Sequence, residues 1–395
     1  MKKLAIVACF LLAFPNLAIS QAQALDPNSV ASIFERISSN KELANPSVVV
    51  IDQKTGEVVF EKNANSPRKP ASVQKLLTAS AAFTYLNPTQ RFTTSAGLGV
   101  KAKSIVIQGS LDPWFSLSDL QAKKMGRTSL ARIEYNTLSA LKAANAGSIR
   151  NSTIYYSNLY SQDVANLKNF YIKHGVSPIM KRVSAAEAES LAAEPIIRSE
   201  SPELQEILAF TLTWSDNLLA ERIARLASQA AGHSLDDAGV AVTFDEVLSN
   251  FGITNKNMVI QDASGLSREN RITAKQIADL LFKIRVEPKF SALINGLPVG
   301  GVTGTLRHRF IETAPQAVGL IKAKTGTLNG TANLAGYVES GDREYAFVIL
   351  ADRLRKTGVA ESRARNTVDR LLGKVAAPLF PELLPSQSEA SIATN

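Results

Sequence analysis

The sequence predicts an α+β protein: an antiparallel sheet with flanking helices and a helical subdomain, carrying an inserted domain. Three observations lead there. β-Branched apolar runs separated by turn signals occur near both ends of the chain, at 46–62 and 318–351. Between 201 and 285 the apolar residues recur at helical spacing behind capping residues. Residues 91–195 differ in texture, with short alternating segments such as SIVIQGS and RNSTIYY among Ser- and Ala-rich helix formers. A mature chain of about 370 residues also exceeds one typical core and suggests two or more domains.

The elements follow in order. MKKLAIVACFLLAFPNLAISQAQALDP places two lysines before an apolar run and ends on Ala22-Gln23-Ala24. That is the pattern of a cleaved signal peptide, residues 1–24, and implies an exported, periplasmic or extracytoplasmic protein. Pro15 interrupts the short apolar run, which argues against a membrane anchor. Ser47 to Ile51 and Glu57 to Phe60 form a hairpin joined by Asp52-Gln53-Lys54-Thr55-Gly56. Pro70 starts a helix carrying Ser72 and Lys75. Ser201 caps a helix that begins Ser-Pro-Glu. After Ser215-Asp216-Asn217, a helix puts Leu219, Ile223 and Leu226 on one face and stops at Gly232. Thr273 and Gln276 form a capping box for a helix that buries Ile277, Leu280, Leu281 and Ile284. Strands at Val318–Lys324, Ala332–Glu339 and Glu344–Ala351 form a meander, with Asn329-Gly330 as its first turn. Residues 25–90 and 196–380 thus make one discontinuous domain, 91–195 the insertion, and 381–395 a polar tail.

Composition narrows the chemistry. The single cysteine, Cys9, lies in the leader, so the mature chain has no disulfide, thiolate nucleophile or cysteine-bound zinc. His174, His233 and His308 are scattered, and no metal or cofactor is expected. The net charge of +9 suits an anionic cell-wall or membrane surface. No basic cluster interleaved with aromatics supports nucleic acid as a partner.

Lys-Thr-Gly occurs three times. Lys54-Thr55-Gly56 lies in the hairpin turn, Lys356-Thr357-Gly358 in a charged linker, and Lys324-Thr325-Gly326 along the first strand of the meander. Only the third can build a wall. Serine is a weak nucleophile unless a neighbour takes its proton. Ser72 at a helix start and Lys75 three residues later share a face. A lysine serves as base only when neutral, and burial or a nearby cation such as Lys324 lowers its pKa. Backbone N–H groups of Ser72 and of the strand could stabilise an oxyanion. Ser-x-x-Lys also occurs at Ser38–Lys41 and Ser139–Lys142, so the spelling alone decides nothing. The ordered set does: Ser-x-x-Lys at a helix start, Ser-Asp-Asn between helices, Lys-Thr-Gly on a strand.

With those motifs the chain resembles the class C low-molecular-mass penicillin-binding proteins, the D-alanyl-D-alanine carboxypeptidase/endopeptidase family. The likeness runs through VVVIDQKTGEVVFEKNANSPRKPASVQKLLTA, IVIQGSLDPWF, TLTWSDNLLAE, DASGLSRENRIT, LPVGGVTGTLRHR and AKTGTLNGTANLAGYV. It implies the penicillin-binding/serine β-lactamase-like transpeptidase fold. It implies peptidoglycan stem peptides ending in D-Ala-D-Ala as substrate, β-lactams as inhibitors, and no cofactor. It further implies Ser72 as the acylated nucleophile, Lys75 as its base, Ser215 and Asn217 for proton relay and substrate amide, and Lys324 for the field. Thr325, Gly326 and Thr327 would meet the terminal carboxylate, with the Thr327 N–H completing the oxyanion hole. Arg268 would lie near the peptide-binding pocket. Two departures stand out: the span from Ser72 to Ser215 is short for the family, and Ser157 or Asn158 occupies the place of an aspartate that grips the peptide's amine.

Other readings fare worse. A class A β-lactamase needs a glutamate and an asparagine four residues apart on a loop after Ser-Asp-Asn, and none is expected here. A phosphate-binding P-loop needs glycine where Ala323 stands. A Ser-His-Asp enzyme would have to use His308, which reads as helix surface. A wall-binding module on an inactive scaffold would not need the motifs intact.

Overall fold

The structure is a computed structural model that describes residues 25–377. The expected signal peptide, Cys9 and the polar tail lie outside the described residues. The first sheet has five antiparallel strands in the order β2-β1-β10-β9-β8. These are β1 (Ser47–Asp52), β2 (Val58–Lys62), β8 (Ile321–Leu328), β9 (Thr331–Ser340) and β10 (Arg343–Leu350). The hairpin and the meander are present as expected. The first meander strand starts and ends later than Val318–Lys324, so Lys324-Thr325-Gly326 sits mid-strand rather than at its exit.

Helices cover both faces of this sheet, which explains the unbroken apolar run in β1. Val49 and Ile51 face a core formed with α2 (Lys75–Tyr85), α7 (Leu204–Trp214), α8 (Asn217–Ala230), α9 (Asp237–Asn250) and α10 (Ala274–Arg285). Val48 and Val50 face the opposite core, formed with α1 (Pro27–Ser39) and α12 (Gly358–Val375). Every residue of β1 is buried. Each such Val or Ile contributes about 1.5–3 kcal/mol of burial free energy.

The second sheet also has five strands, in the order β6-β5-β4-β3-β7. They are β3 (Thr93–Gly99), β4 (Ser104–Gln108), β5 (Thr153–Ser157), β6 (Ile179–Arg182) and β7 (Ala192–Glu200). β4, β5 and β6 run parallel, whereas β3 pairs antiparallel with both β4 and β7. On one face pack α4 (Leu130–Ala144) and α5 (Ser161–Lys173), and on the other α6 (Ala185–Leu191). A short α3 (Asp119–Met125) precedes α4, and α11 (Ser291–Asn295) lies beside α7. The boundary drawn at 195 falls inside β7, because that strand pairs with β3 out to Glu200 opposite Thr93.

Several local expectations are corrected. Ser72 does not open an α-helix: Ala71–Gln74 is a 3-10 turn, and α2 starts at Lys75. Ser201 does not cap α7. Its hydroxyl bonds the Pro202 carbonyl and accepts from the Phe92 N–H, while Glu203 and Glu206 form the capping box. His308 lies in a turn after the 3-10 segment Gly304–Leu306 and accepts from the Arg307 Nε–H at 2.9 Å. Thr357, assigned to solvated loop, caps α12 by accepting from the Ala360 N–H. The Thr273–Gln276 capping box is observed as expected.

The two domains are joined by a buried ion pair. Arg222 on α8 meets Asp163 on α5 with both nitrogens at 3.1 Å from the carboxylate oxygens. The guanidinium also donates to the Pro113 carbonyl and stacks on the Tyr160 ring at 4.3 Å. Trp114 from the insertion packs on Phe210 of α7, ring centroids 4.6 Å apart.

Candidate active site

Ser72 stands on a turn held from four sides. Arg68, 1 % exposed, pairs with Asp352 at the end of β10 at 3.1 Å and donates to Ser47 Oγ and the Asn45 carbonyl. Asp352 also accepts from the Lys69 N–H. Arg68 exchanges two backbone hydrogen bonds with Ile272. Asn333 on β9 donates from Nδ2 to the carbonyls of Lys69 and Pro70 at 2.8 and 2.9 Å. Ala71 has φ 48°, a left-handed conformation that costs a non-glycine residue about 1–3 kcal/mol and persists only where the surroundings enforce it.

Two glycines allow the other walls to approach this turn. A Cβ on Gly326 would lie 2.6 Å from the Pro70 carbonyl oxygen, so β8 reaches the turn only as glycine. Gly265 has φ 82°, and a Cβ there would lie 1.9 Å from the Ala71 oxygen. The Lys-Thr-Gly glycine is therefore a close-approach residue, unlike Gly56, whose φ of 75° serves a turn.

Lys75 Nζ lies 2.9 Å from Ser72 Oγ. It also donates to Asn217 Oδ1 at 2.7 Å and the Ser264 carbonyl at 2.7 Å. Burial pushes its pKa down to about 8, opposed by the carboxylates of Asp262, Glu221 and Asp216. Lys324 on β8 is wholly buried. Burial holds its amine well below the usual lysine range, and the neighbouring Lys75 adds to the effect. Burial, rather than the Lys324 charge, is thus the main cause at Lys75. The amine of Lys324 donates to the Thr325 carbonyl at 3.1 Å.

Ser215 and Asn217 come from the α7–α8 junction. Ser215 ends α7 in a left-handed conformation, φ 59°. Asp216 then caps α8, its Oδ1 accepting from the Leu219 N–H at 2.9 Å. The loop 262–270 completes the site. Glu221 Oε1 accepts from the Ala263 and Ser264 N–H groups, and Asp262 Oδ1 from the Gly265 N–H. Burial raises the Glu221 carboxyl.

A cavity of about 430 Å³ opens over Ser72, lined also by Ser215, Asn217, Thr325, Thr327 and Asn333. Of the expected site residues, Ser72, Lys75, Ser215, Asn217, Lys324, Thr325, Gly326 and Thr327 are gathered here, directly or in the wall behind. Arg268 is not among the lining residues. It is exposed on the 262–270 loop, where its carbonyl accepts from Arg271. Ser157 is buried at the end of β5, and Asn158 is exposed with φ 49°. Thr305, Arg309 and Arg365 also line the cavity and were missed by sequence reasoning. Thr305 bonds Thr325 through their hydroxyls at 2.9 Å. Only the quoted segment LPVGGVTGTLRHR hinted at the first two, and nothing in the sequence singles out Arg365. Glu246 and Asn250 do have the four-residue spacing of a class A β-lactamase pair. They lie on α9, with Glu246 bound to His233 and Tyr85, and neither lines the cavity. Among the described residues, no group of three His, Cys, Asp or Glu side chains is placed to hold a metal.

The family model for D-Ala-D-Ala carboxypeptidase 3 (S13) matches residues 30–133 and 148–375, nearly the whole described chain. The chain belongs to this family. It is a class C low-molecular-mass penicillin-binding protein and a serine-type D-Ala-D-Ala carboxypeptidase. Carboxypeptidase DacB of Mycolicibacterium smegmatis is 28% identical over 369 residues, covering 80% of this chain and 79% of that protein. A D-alanyl-D-alanine carboxypeptidase of an Actinomadura species is 38% identical over 196 residues, 48% of this chain and 36% of the relative. Among solved structures, penicillin-binding protein 4 of Haemophilus influenzae superposes with a TM-score of 0.64 at 17% identity, over 88% of this chain and 98% of that one. A predatory endopeptidase of Bdellovibrio bacteriovorus gives 0.60 at 18% identity, over 86% and 96%. The fold is that of penicillin-binding proteins, with an inserted domain.

Proposed function

We propose that this carboxypeptidase acts through an acyl-enzyme on Ser72. The observation that supports it best is the 2.9 Å contact between Ser72 Oγ and a buried Lys75 amine whose pKa is lowered to about 8. Neutral Lys75 accepts the Ser72 proton as Oγ attacks the carbonyl of the penultimate D-Ala. Backbone N–H groups of Ser72 and Thr327 hold the oxyanion. The proton passes through Lys75 and Ser215 to the nitrogen of the departing D-alanine as the C–N bond breaks. Asn217 binds the substrate amide, Lys324 sets the field of the wall, and Thr325, Gly326 and Thr327 face the terminal carboxylate. Water then cleaves the ester. Arg268 is kept as an outer contact for the stem peptide, reached from the exposed loop.

The same chemistry on a cross-linked peptide would give D,D-endopeptidase activity, and carboxypeptidase action is favoured. Export by a cleaved leader to the periplasm or another extracytoplasmic site brings the enzyme to peptidoglycan, and the positive charge favours anionic cell-wall or membrane surfaces. Among the described residues no helix is long and apolar enough to cross a membrane. Incubation with a labelled penicillin, digestion and mass mapping test the reading. A single adduct on Ser72, lost in Ser72→Ala, is expected. An adduct elsewhere, or none, would overturn it.

A further inference from the structure

Two arginines outside the three motifs line the cavity over Ser72. Arg309 and Arg365 line it together with Thr305, Thr325 and Thr327, and the two arginines are not equivalent. Arg309 is clasped by Asp369 of α12, with Nε 3.1 Å from Oδ2 and Nη2 bonded to Oδ1. Asp369 is 1 % exposed, so this charge is neutralised inside the fold.

Arg365 is half-buried and makes no ion pair with any described residue. Both carboxylates one turn away on its own helix are engaged elsewhere. Asp369 holds Arg309, and Glu361 Oε1 accepts from the Gly330 N–H at 2.8 Å. Arg309 Nη2 also donates to the Arg365 carbonyl at 3.4 Å, which ties down the turn of α12 that presents Arg365.

The other residues that line the cavity are uncharged. Thr305, Thr325 and Thr327 carry neutral hydroxyls. Lys324 is fully buried and does not line the cavity, and Lys75 is committed to Ser72, Asn217 and Ser264. A guanidinium that makes no ion pair with a described residue, although Glu312 and Asp369 line a neighbouring cavity with it, and that shares the cavity over Ser72 with three threonines, fits a carboxylate, which it can meet with two parallel hydrogen bonds.

We propose that Arg365 is a specificity-determining residue that recognises the carboxylate of the leaving D-amino acid by charge, with Arg309 as the positioning residue that fixes its turn of α12. This rests on the Ser72 acylation reading above. The carboxylate is present in both ground and transition states, so the contact is of the kind that acts on KM more than on kcat.

The test compares wild type, Arg365→Gln and Arg365→Lys on two acyl-D-Ala-D-Ala peptides, one with a free terminal carboxylate and one with it amidated. A charge-assisted contact predicts that Arg365→Gln loses about 10- to 100-fold in kcat/KM on the free acid, mostly through KM. The loss on the amide should be much smaller than on the acid, and Arg365→Lys should recover part of the loss on the acid. In the wild type, added salt should raise KM for the acid and leave it unchanged for the amide. Equal losses on both peptides, no loss on the acid, or a salt-insensitive KM would overturn the proposal. End-point penicillin labelling separates the two levels. If Ser72 is labelled in every variant but the peptides are not discriminated, only the Arg365 role fails. If wild-type Ser72 takes no label, the acylation reading itself fails.

Discussion

Acylation should be gated by the protonation of Lys75. Burial lowers its pKa to about 8, so the amine binds its proton less tightly than an ordinary lysine. The reactive neutral form is gained as pH rises and lost as it falls. From that value the neutral fraction is about 1% at pH 6, about 9% at pH 7 and about half at pH 8. The second-order rate of acylation by a chromogenic β-lactam should therefore climb about 50-fold from pH 6 to pH 8 and flatten above about pH 9. An ordinary lysine, which titrates near 10.5, would keep gaining about tenfold per pH unit up to pH 10. Glu221→Gln gives a second handle. Its amide oxygen can still accept from the Ala263 and Ser264 N–H groups, but one carboxylate that holds the proton on Lys75 is gone. The midpoint should move to lower pH. Stopped-flow or absorbance progress curves across pH 5.5–10.5 read both effects. A flat profile between pH 6 and 8, a midpoint that stays with an ordinary lysine, or a Lys75→Arg enzyme acylated at the wild-type rate would refute the reasoning.

Two further perturbations separate stability from chemistry. Gly265→Ala places a methyl 1.9 Å from the Ala71 oxygen at φ 82°. It should cost at least about 2 kcal/mol, seen in denaturant unfolding, and also suppress Ser72 labelling in the folded fraction. Asp163→Ala strands the Arg222 charge between the two domains and should cost about 3–5 kcal/mol by thermal unfolding. Adding Arg222→Met should recover much of that loss; a double variant less stable than Asp163→Ala would contradict the assignment.

The sequence was most informative where backbone chemistry is local. The β-branched runs, the Asn329-Gly330 turn and the Thr273–Gln276 box need only neighbouring residues, and each is in the structure. The three motifs were legible for a different reason: their order along the chain resembled a known family. What failed depends on distant partners. Ser72 sits on a 3-10 turn because Asp352 (through Arg68), Asn333 and Gly265 hold it there from three other segments. β7 extends past the expected boundary because β3 pairs with it, and no composition change marks that pairing. Arg365 looks like one more surface arginine of an amphipathic helix until Asp369 and Glu361 are seen to bond Arg309 and the Gly330 N–H instead.

The strand order has a kinetic consequence. β1 and the Ser72 turn emerge early in the chain, yet β1 has its central-sheet neighbour only in β10, and Ser72 its wall only in β8. Closing so long a loop is entropically slow, and such non-local pairing comes late in folding. A nascent polypeptide therefore holds Ser72 without its β8 neighbour, and the cavity is completed only when the last strands dock.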